Sequence, residues 1–141
     1  MTTPEDARRL YHLKRRLHEV ALGAQSSAEV AARTTAALAR DAQGHFLRAI
    51  ENLSEGVCDA GDLEMQYARA RVLSRRLDAA RAAAQVAADK AEAQRVIARA
   101  RSIESEQMKR WEELTAEDAR AEESRRDRIR EDELGAQRRC R

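Results

Sequence analysis

Charged side chains make up 37% of this chain of 141 residues and aromatic ones 3%, and Ala is the largest share of its 43% hydrophobic residues, so bulky apolar groups are too sparse for a compact core. Its 27 Lys and Arg are nearly balanced by 25 Asp and Glu, and a net charge of +2 is too weak and too two-sided a field for a nucleic-acid binder. No apolar run approaches the ~18 residues needed to cross a bilayer, and the opening MTTPEDARRL is no secretory signal, so a cytoplasmic location is expected.

The first element begins at a well-formed cap. Thr3 can serve as N-cap, Pro4 suits the first helical position, and Glu5 and Asp6 put negative charge at the helix N-terminus. From Leu10 onward, Leu13, Leu17, Val20, Ala24, Ser27, Ala31, Thr34 and Leu38 follow in alternating three- and four-residue steps. That is the 3.5-residue period of a coiled coil. After Leu38 the stripe slips one place, to Ala42, Phe46, Ala49 or Ile50, and Leu53. Such a slip changes local winding without ending a helix, and the pattern predicts helix over about residues 4–54.

The segment NLSEGVCDAGD holds Gly56 and Gly61 with Ser54, Asp59 and Asp62. Gly can stop one helix and Asp can cap the next, which places a turn at about residues 55–61. A second helix follows over about residues 62–137. Its stripe reads Leu63, Tyr67 or Gln66, Ala70, Leu73, Leu77, Ala80, Ala84 and Ala87, then Ala93, Val96, Ala100, Ile103, Met108, Trp111 and Leu114.

Folding the arms about Cys58 sets Leu13 opposite Ile103, Val20 opposite Val96, Leu38 beside Leu77 and Leu53 opposite Leu63. The apolar stripe of the second arm stops near Trp111 and Leu114, where the first arm runs out of residues. In the middle, Ala28, Ala31 and Ala32 face residues 82–88; each Ala contributes well under the ~1.5–3 kcal/mol of a buried Leu, so this part is expected to be thin. Beyond it, residues 112–141 carry almost no apolar stripe but several Glu- or Asp-before-Arg pairs: Glu117 with Arg120, Glu122 and Glu123 with Arg126, Asp127 with Arg130. Such pairs support a solvated helix. The expected fold is all-α: a single rod over residues 1–141, a long antiparallel two-helix coiled-coil hairpin with an overhanging charged C-terminal helix. Cys58 at the turn and Cys140 at the far end would lie roughly 120 Å apart, so no intrachain bridge can form and both are expected as free thiols.

Nothing in the chain points to catalysis. His12, His18 and His45 do not share a metal-ligand spacing, and no phosphate loop or nucleophile motif is present. A two-helix rod is expected to offer no concave pocket in which to shift a pKa or exclude water. The reading is a non-enzyme with no cofactor and no metal. The pairs Arg8-Arg9, Arg15-Arg16 and Arg75-Arg76 can bind phosphates or simply form a solvated face, and the aromatic interleaving of a base-stacking surface is absent. Trp111 either closes the seam near Leu10 or anchors a partner. Phe46 and Tyr67, near the turn, carry the same two readings.

With those residues in view, the chain resembles the FliJ/YscO family of flagellar and type III secretion export-apparatus stalk proteins. The resemblance spans nearly the whole length. It rests on the basic first helix, Arg8-Arg9-Leu10 through Lys14-Arg15-Arg16-Leu17. It rests above all on the run from Lys109-Arg110-Trp111-Glu112-Glu113-Leu114 to Glu131-Asp132-Glu133-Leu134 and Arg138-Arg139. The resemblance implies a non-enzymatic regulator of a hexameric export ATPase, cytoplasmic and peripheral to a membrane-embedded export apparatus. In that family the end holding both termini enters the ATPase ring, the turn half contacts the export-gate membrane protein, and export chaperones also bind. By analogy Arg8, Arg9, Arg15, Arg16, Arg110, Trp111, Arg125 and Arg126 would face the ring, and Phe46, Ile50 and Tyr67 the gate. Such a stalk is expected to be a monomer on its own, without nucleic acid and without membrane insertion. The alternative is a generic coiled-coil scaffold or adaptor, which would form stable oligomers alone.

Overall fold

A computed structural model describes residues 3–55 and 59–139. Two helices, α1 (Pro4–Glu55) and α2 (Ala60–Arg139), pack against each other as an antiparallel hairpin. Among the described residues none lies in a strand, and no helix is long and apolar enough to cross a membrane. Gly56, expected to stop the first helix, and both cysteines, Cys58 and Cys140, lie outside the described residues.

Both helices start where local chemistry dictates. The Thr3 hydroxyl accepts the Asp6 N–H at 3.2 Å, while the Asp6 carboxylate accepts the Thr3 hydroxyl at 2.7 Å and the Thr3 N–H at 3.2 Å. This reciprocal cap satisfies donors that a helix N-terminus leaves orphaned. The hydrogen bonds from the Thr3 side chain and backbone hold the Asp6 carboxyl below the usual carboxylate range. At α2 the cap is Asp59, whose carboxylate accepts the N–H groups of Gly61 and Asp62.

By internal contacts the hairpin divides into a terminal unit, residues 1–21 with 98–141, and a turn-proximal unit, residues 22–97. In the turn-proximal unit the α1 seam is Gln25, Ala28, Ala32, Thr35, Ala39, Ala42, Phe46, Ala49 and Leu53. The α2 seam there is Leu63, Gln66, Ala70, Leu73, Leu77, Ala80, Ala84, Ala87, Ala91 and Gln94. In the terminal unit Ala7, Tyr11, Lys14, His18 and Ala21 meet an α2 row of Ala98, Arg101, Ser105, Met108, Glu112 and Thr115. Every row keeps the three-four alternation of a coiled coil.

The seam runs one residue out of phase with the leucine stripe expected for α1. Leu13 is 53% exposed, Val20 71% and Leu38 58%, and Leu10 and Leu17 are exposed as well. On α2 the expected stripe holds from Leu63 to Ala87, then departs and meets the seam again at Met108: Ala91 and Ala98 are buried, whereas Val96 and Ile103 are exposed. The physical reason is the slip after Leu38. Helix α1 is continuous, so a stripe displaced by one residue turns by about 100° and cannot share a seam with the residues below it. Burial follows the phase of Ala42, Phe46, Ala49 and Leu53, and the upper leucines fall beside the seam.

Candidate interaction surfaces

An antiparallel pair has two flanks. The residue preceding each seam position lies on one flank, on both helices, and the residue following it lies on the other. On the second flank charge dominates. In the turn-proximal unit Glu29 sits there, accepting Arg95 Nε at 2.9 Å across the hairpin and Gln25 Nε2 at 3.0 Å. The hydrogen bonds from Gln25 and Arg95 hold the Glu29 carboxyl below its usual range, and the same carboxylate raises the Arg95 guanidinium.

The first flank is apolar. In the terminal unit its α1 residues are Leu10, Leu13, Leu17 and Val20, all exposed, and across from them α2 carries Gln107, half-buried Trp111 and exposed Leu114. The seam beside these leucines is polar instead: Lys14 and Arg101 reach from it to Glu104, a charged residue on the leucines' own flank, with Lys14 Nζ at 2.7 Å and Arg101 at 2.9 Å from the same Oε2, and the buried His18 Nδ1 has no hydrogen-bond partner. The Lys14 and Arg101 hydrogen bonds keep the Glu104 carboxyl below the usual range.

In the turn-proximal unit the same flank opens into a groove of about 890 Å³. Leu38, Asp41, Ala42 and His45 form its α1 wall, and Met65, Ala68, Arg69, Val72, Leu73 and Arg76 its α2 wall. The hairpin thus presents a concavity, an open groove rather than a pocket that excludes water. Leu38, Met65 and Val72 project from both arms beside the seam, while the short side chains of Ala42 and Ala68 leave the space between them open. Further from the turn a smaller cleft of about 390 Å³, floored by Ala28 and Ala87, marks the thin Ala-rich stretch.

The sequence-predicted residues distribute as follows. Arg8, Arg9, Arg15, Arg16, Arg110, Trp111, Arg125 and Arg126 all belong to the terminal unit. Arg9 pairs with Glu5 at 2.7 Å, Arg15 with Glu19 at 3.1 Å and Arg126 with Glu122 at 3.3 Å, all along one helix. Arg8 and Arg15, seven residues apart, share the charged flank, and Arg9 and Arg16 lie further round the helix. Thr3 and Pro4, at the start of α1, line a cleft with Ala119, Glu122, Arg126 and Arg130 of α2, so α2 continues past the start of α1 to Arg139. Near the turn, Phe46 is half-buried in the seam, whereas Ile50 and Tyr67 are exposed at facing positions of the charged flank, with exposed Leu47 beside Ile50. The structure therefore separates Phe46 from Ile50 and Tyr67.

Sequence reasoning missed Leu38, Met65, Val72, Arg69 and Arg76 as a group. The signal was present as the change of apolar phase after Leu38, which takes the leucines and the Ala42–Leu53 stripe to different faces of α1. Comparison with protein-family models, characterised proteins and solved structures finds no match to this chain.

Proposed function

We propose that the chain is a non-enzymatic stalk and regulator of a hexameric flagellar or type III export ATPase, cytoplasmic and peripheral to a membrane-embedded apparatus. The observation that carries the reading is the resemblance of its basic first helix and its Lys109–Leu114 and Glu131–Leu134 runs to the FliJ/YscO family. The terminal unit supports it: eight candidate ring-facing residues gather there, and a charged α2 extends past the capped start of α1. In this reading the terminal end enters the ring, the turn half meets the export gate through Ile50 and Tyr67, and export chaperones are further partners. Phe46 is half-buried in the seam and is the third candidate for the gate.

The test is an ATPase titration with the export ATPase of the same organism, with ring assembly followed in parallel. Saturable stimulation with hexamer formation is expected, and substituting Arg8, Arg9, Arg15 and Arg16 together by Ala should lower it without loss of helicity. A folded protein that neither binds nor stimulates would overturn the reading. The exposed apolar flank favours the second reading, a coiled-coil adaptor whose partners dock along the hairpin.

A further inference from the structure

The turn-proximal groove has the composition of a recognition site rather than of a packing defect. Its floor is apolar, and Leu38, Met65 and Val72 stand exposed around it. Its two rims differ in charge. Arg69 and Arg76 are seven residues apart on α2, two helical turns or roughly 10 Å along the groove. Asp41 and His45 occupy the α1 rim. Among the described residues, no ion pair engages Arg69, Arg76 or Asp41. These arginines therefore hold an unmatched positive edge beside an apolar trough.

We propose that this groove docks an acidic amphipathic helix of another protein. Apolar side chains spaced three, four and seven residues apart enter between Leu38, Met65 and Val72, the usual anchors of a helix laid in a groove. Acidic side chains seven residues apart along one edge of that helix reach Arg69 and Arg76, where carboxylate–guanidinium pairing fixes register and direction. A second copy of this chain fits less well. Two grooves face to face would bring four arginines against two Asp41 carboxylates. The three exposed apolar side chains also present on the order of 300 Å², against roughly 800 Å² per partner in a stable dimer. The inference does not depend on the ATPase reading, and stimulation or its absence leaves it untouched.

The test uses the full chain and two synthetic helical peptides with the same Leu face, one with Glu and one with Lys at the edge positions. Binding is followed by fluorescence anisotropy at low ionic strength. The Glu peptide should bind saturably and at least about tenfold more tightly than the Lys peptide. Reversing both rim charges, Arg69→Glu with Arg76→Glu, should invert that preference; both side chains are exposed, so helicity by circular dichroism should not change. Met65→Asp should abolish binding of either peptide. Equal affinity for the two peptides, no saturation, or a reversed variant that keeps the wild-type preference would each overturn the proposal. So would sedimentation showing a dimer that Met65→Asp splits, since the occupant would then be a second copy.

Discussion

Leu38 and Leu77 are side by side in the hairpin register read from sequence, yet the structure gives them opposite roles, and replacing each by Ala tests which description holds. Leu77 is 4% exposed in the α2 seam, while Leu38 is 58% exposed on the apolar flank. Truncating a buried Leu removes its transfer free energy and leaves a cavity, about 2.7–5 kcal/mol in a compact core. Only two helices surround the Leu77 site, so the lower end applies and Leu77→Ala should cost about 2–3 kcal/mol. Leu38 keeps less than half of its surface covered, and Ala is the better helix former, so Leu38→Ala should cost below about 1 kcal/mol. Urea denaturation followed by helical circular dichroism separates these values, because a midpoint shift at constant slope reports stability directly. Equal losses at the two positions would mean that Leu38 lies in the seam and that the observed phase is wrong.

Two further outcomes follow from polar groups along the hairpin. Gln66 Oε1 and His18 Nδ1 are buried without a hydrogen-bond partner, so Gln66→Leu and His18→Leu should each stabilise the hairpin by about 1 kcal/mol, read from the same denaturation curves. A loss of stability in both would show that these atoms are satisfied. Asp6, Glu29 and Glu104 have carboxyls held below their ordinary range by Thr3, by Gln25 with Arg95, and by Lys14 with Arg101. Groups lowered in this way contribute fully above their unfolded pKa of about 4 and lose that contribution as pH falls through the folded value. Thermal midpoints should therefore hold level from neutral pH down to about 5 and decline below about 4, and the double variant Glu29→Gln with Glu104→Gln should flatten that decline.

The parts of the fold legible in sequence were those fixed by local chemistry or by an unambiguous period. Thr3, Pro4 and Asp6 write a cap in four residues, and Asp59 and Gly61 write another. The α2 stripe from Leu63 to Ala87 is legible at its seam positions except at one step, where the pattern leaves Tyr67 and Gln66 open and Gln66 takes the seam. Where two phases compete, bulk misleads. In α1 the leucines form the more prominent stripe, but the stripe through Phe46 and Leu53 sets the burial. In α2 the bulkier Val96 and Ile103 drew attention away from Ala91 and Ala98, which are buried because small side chains let the helices approach closely. The groove was invisible for the same reason. It exists only because a leucine, a methionine and a valine assigned to the interior or to no face at all stand beside the seam.

If the one-residue slip is what expels the leucines, removing one residue should bring them back. Arg40 is exposed and lies between Leu38 and Ala42, so its deletion keeps the turn-proximal seam from Ala42 to Leu53 in place. Every α1 residue before it then advances by one position. Leu38 takes the seam place of Ala39, and in the terminal unit Leu10, Leu13, Leu17 and Val20 take those of Tyr11, Lys14, His18 and Ala21. Each transfer from an exposed to a part-buried or buried place favours folding by a fraction of about 1 kcal/mol, offset where Val20 must fit the space of Ala21 and where Asp6 moves to the buried place of Ala7, for a net gain of about 1–2 kcal/mol. The deletion should raise the denaturation midpoint and reduce binding of an apolar fluorescent dye, because the flank loses its leucines as the seam gains them. A less stable hairpin with unchanged dye binding would show that the seam phase is set by contacts other than those of Phe46 and Leu53. A more stable deletion variant would show that the wild-type chain forgoes stability to keep these leucines exposed.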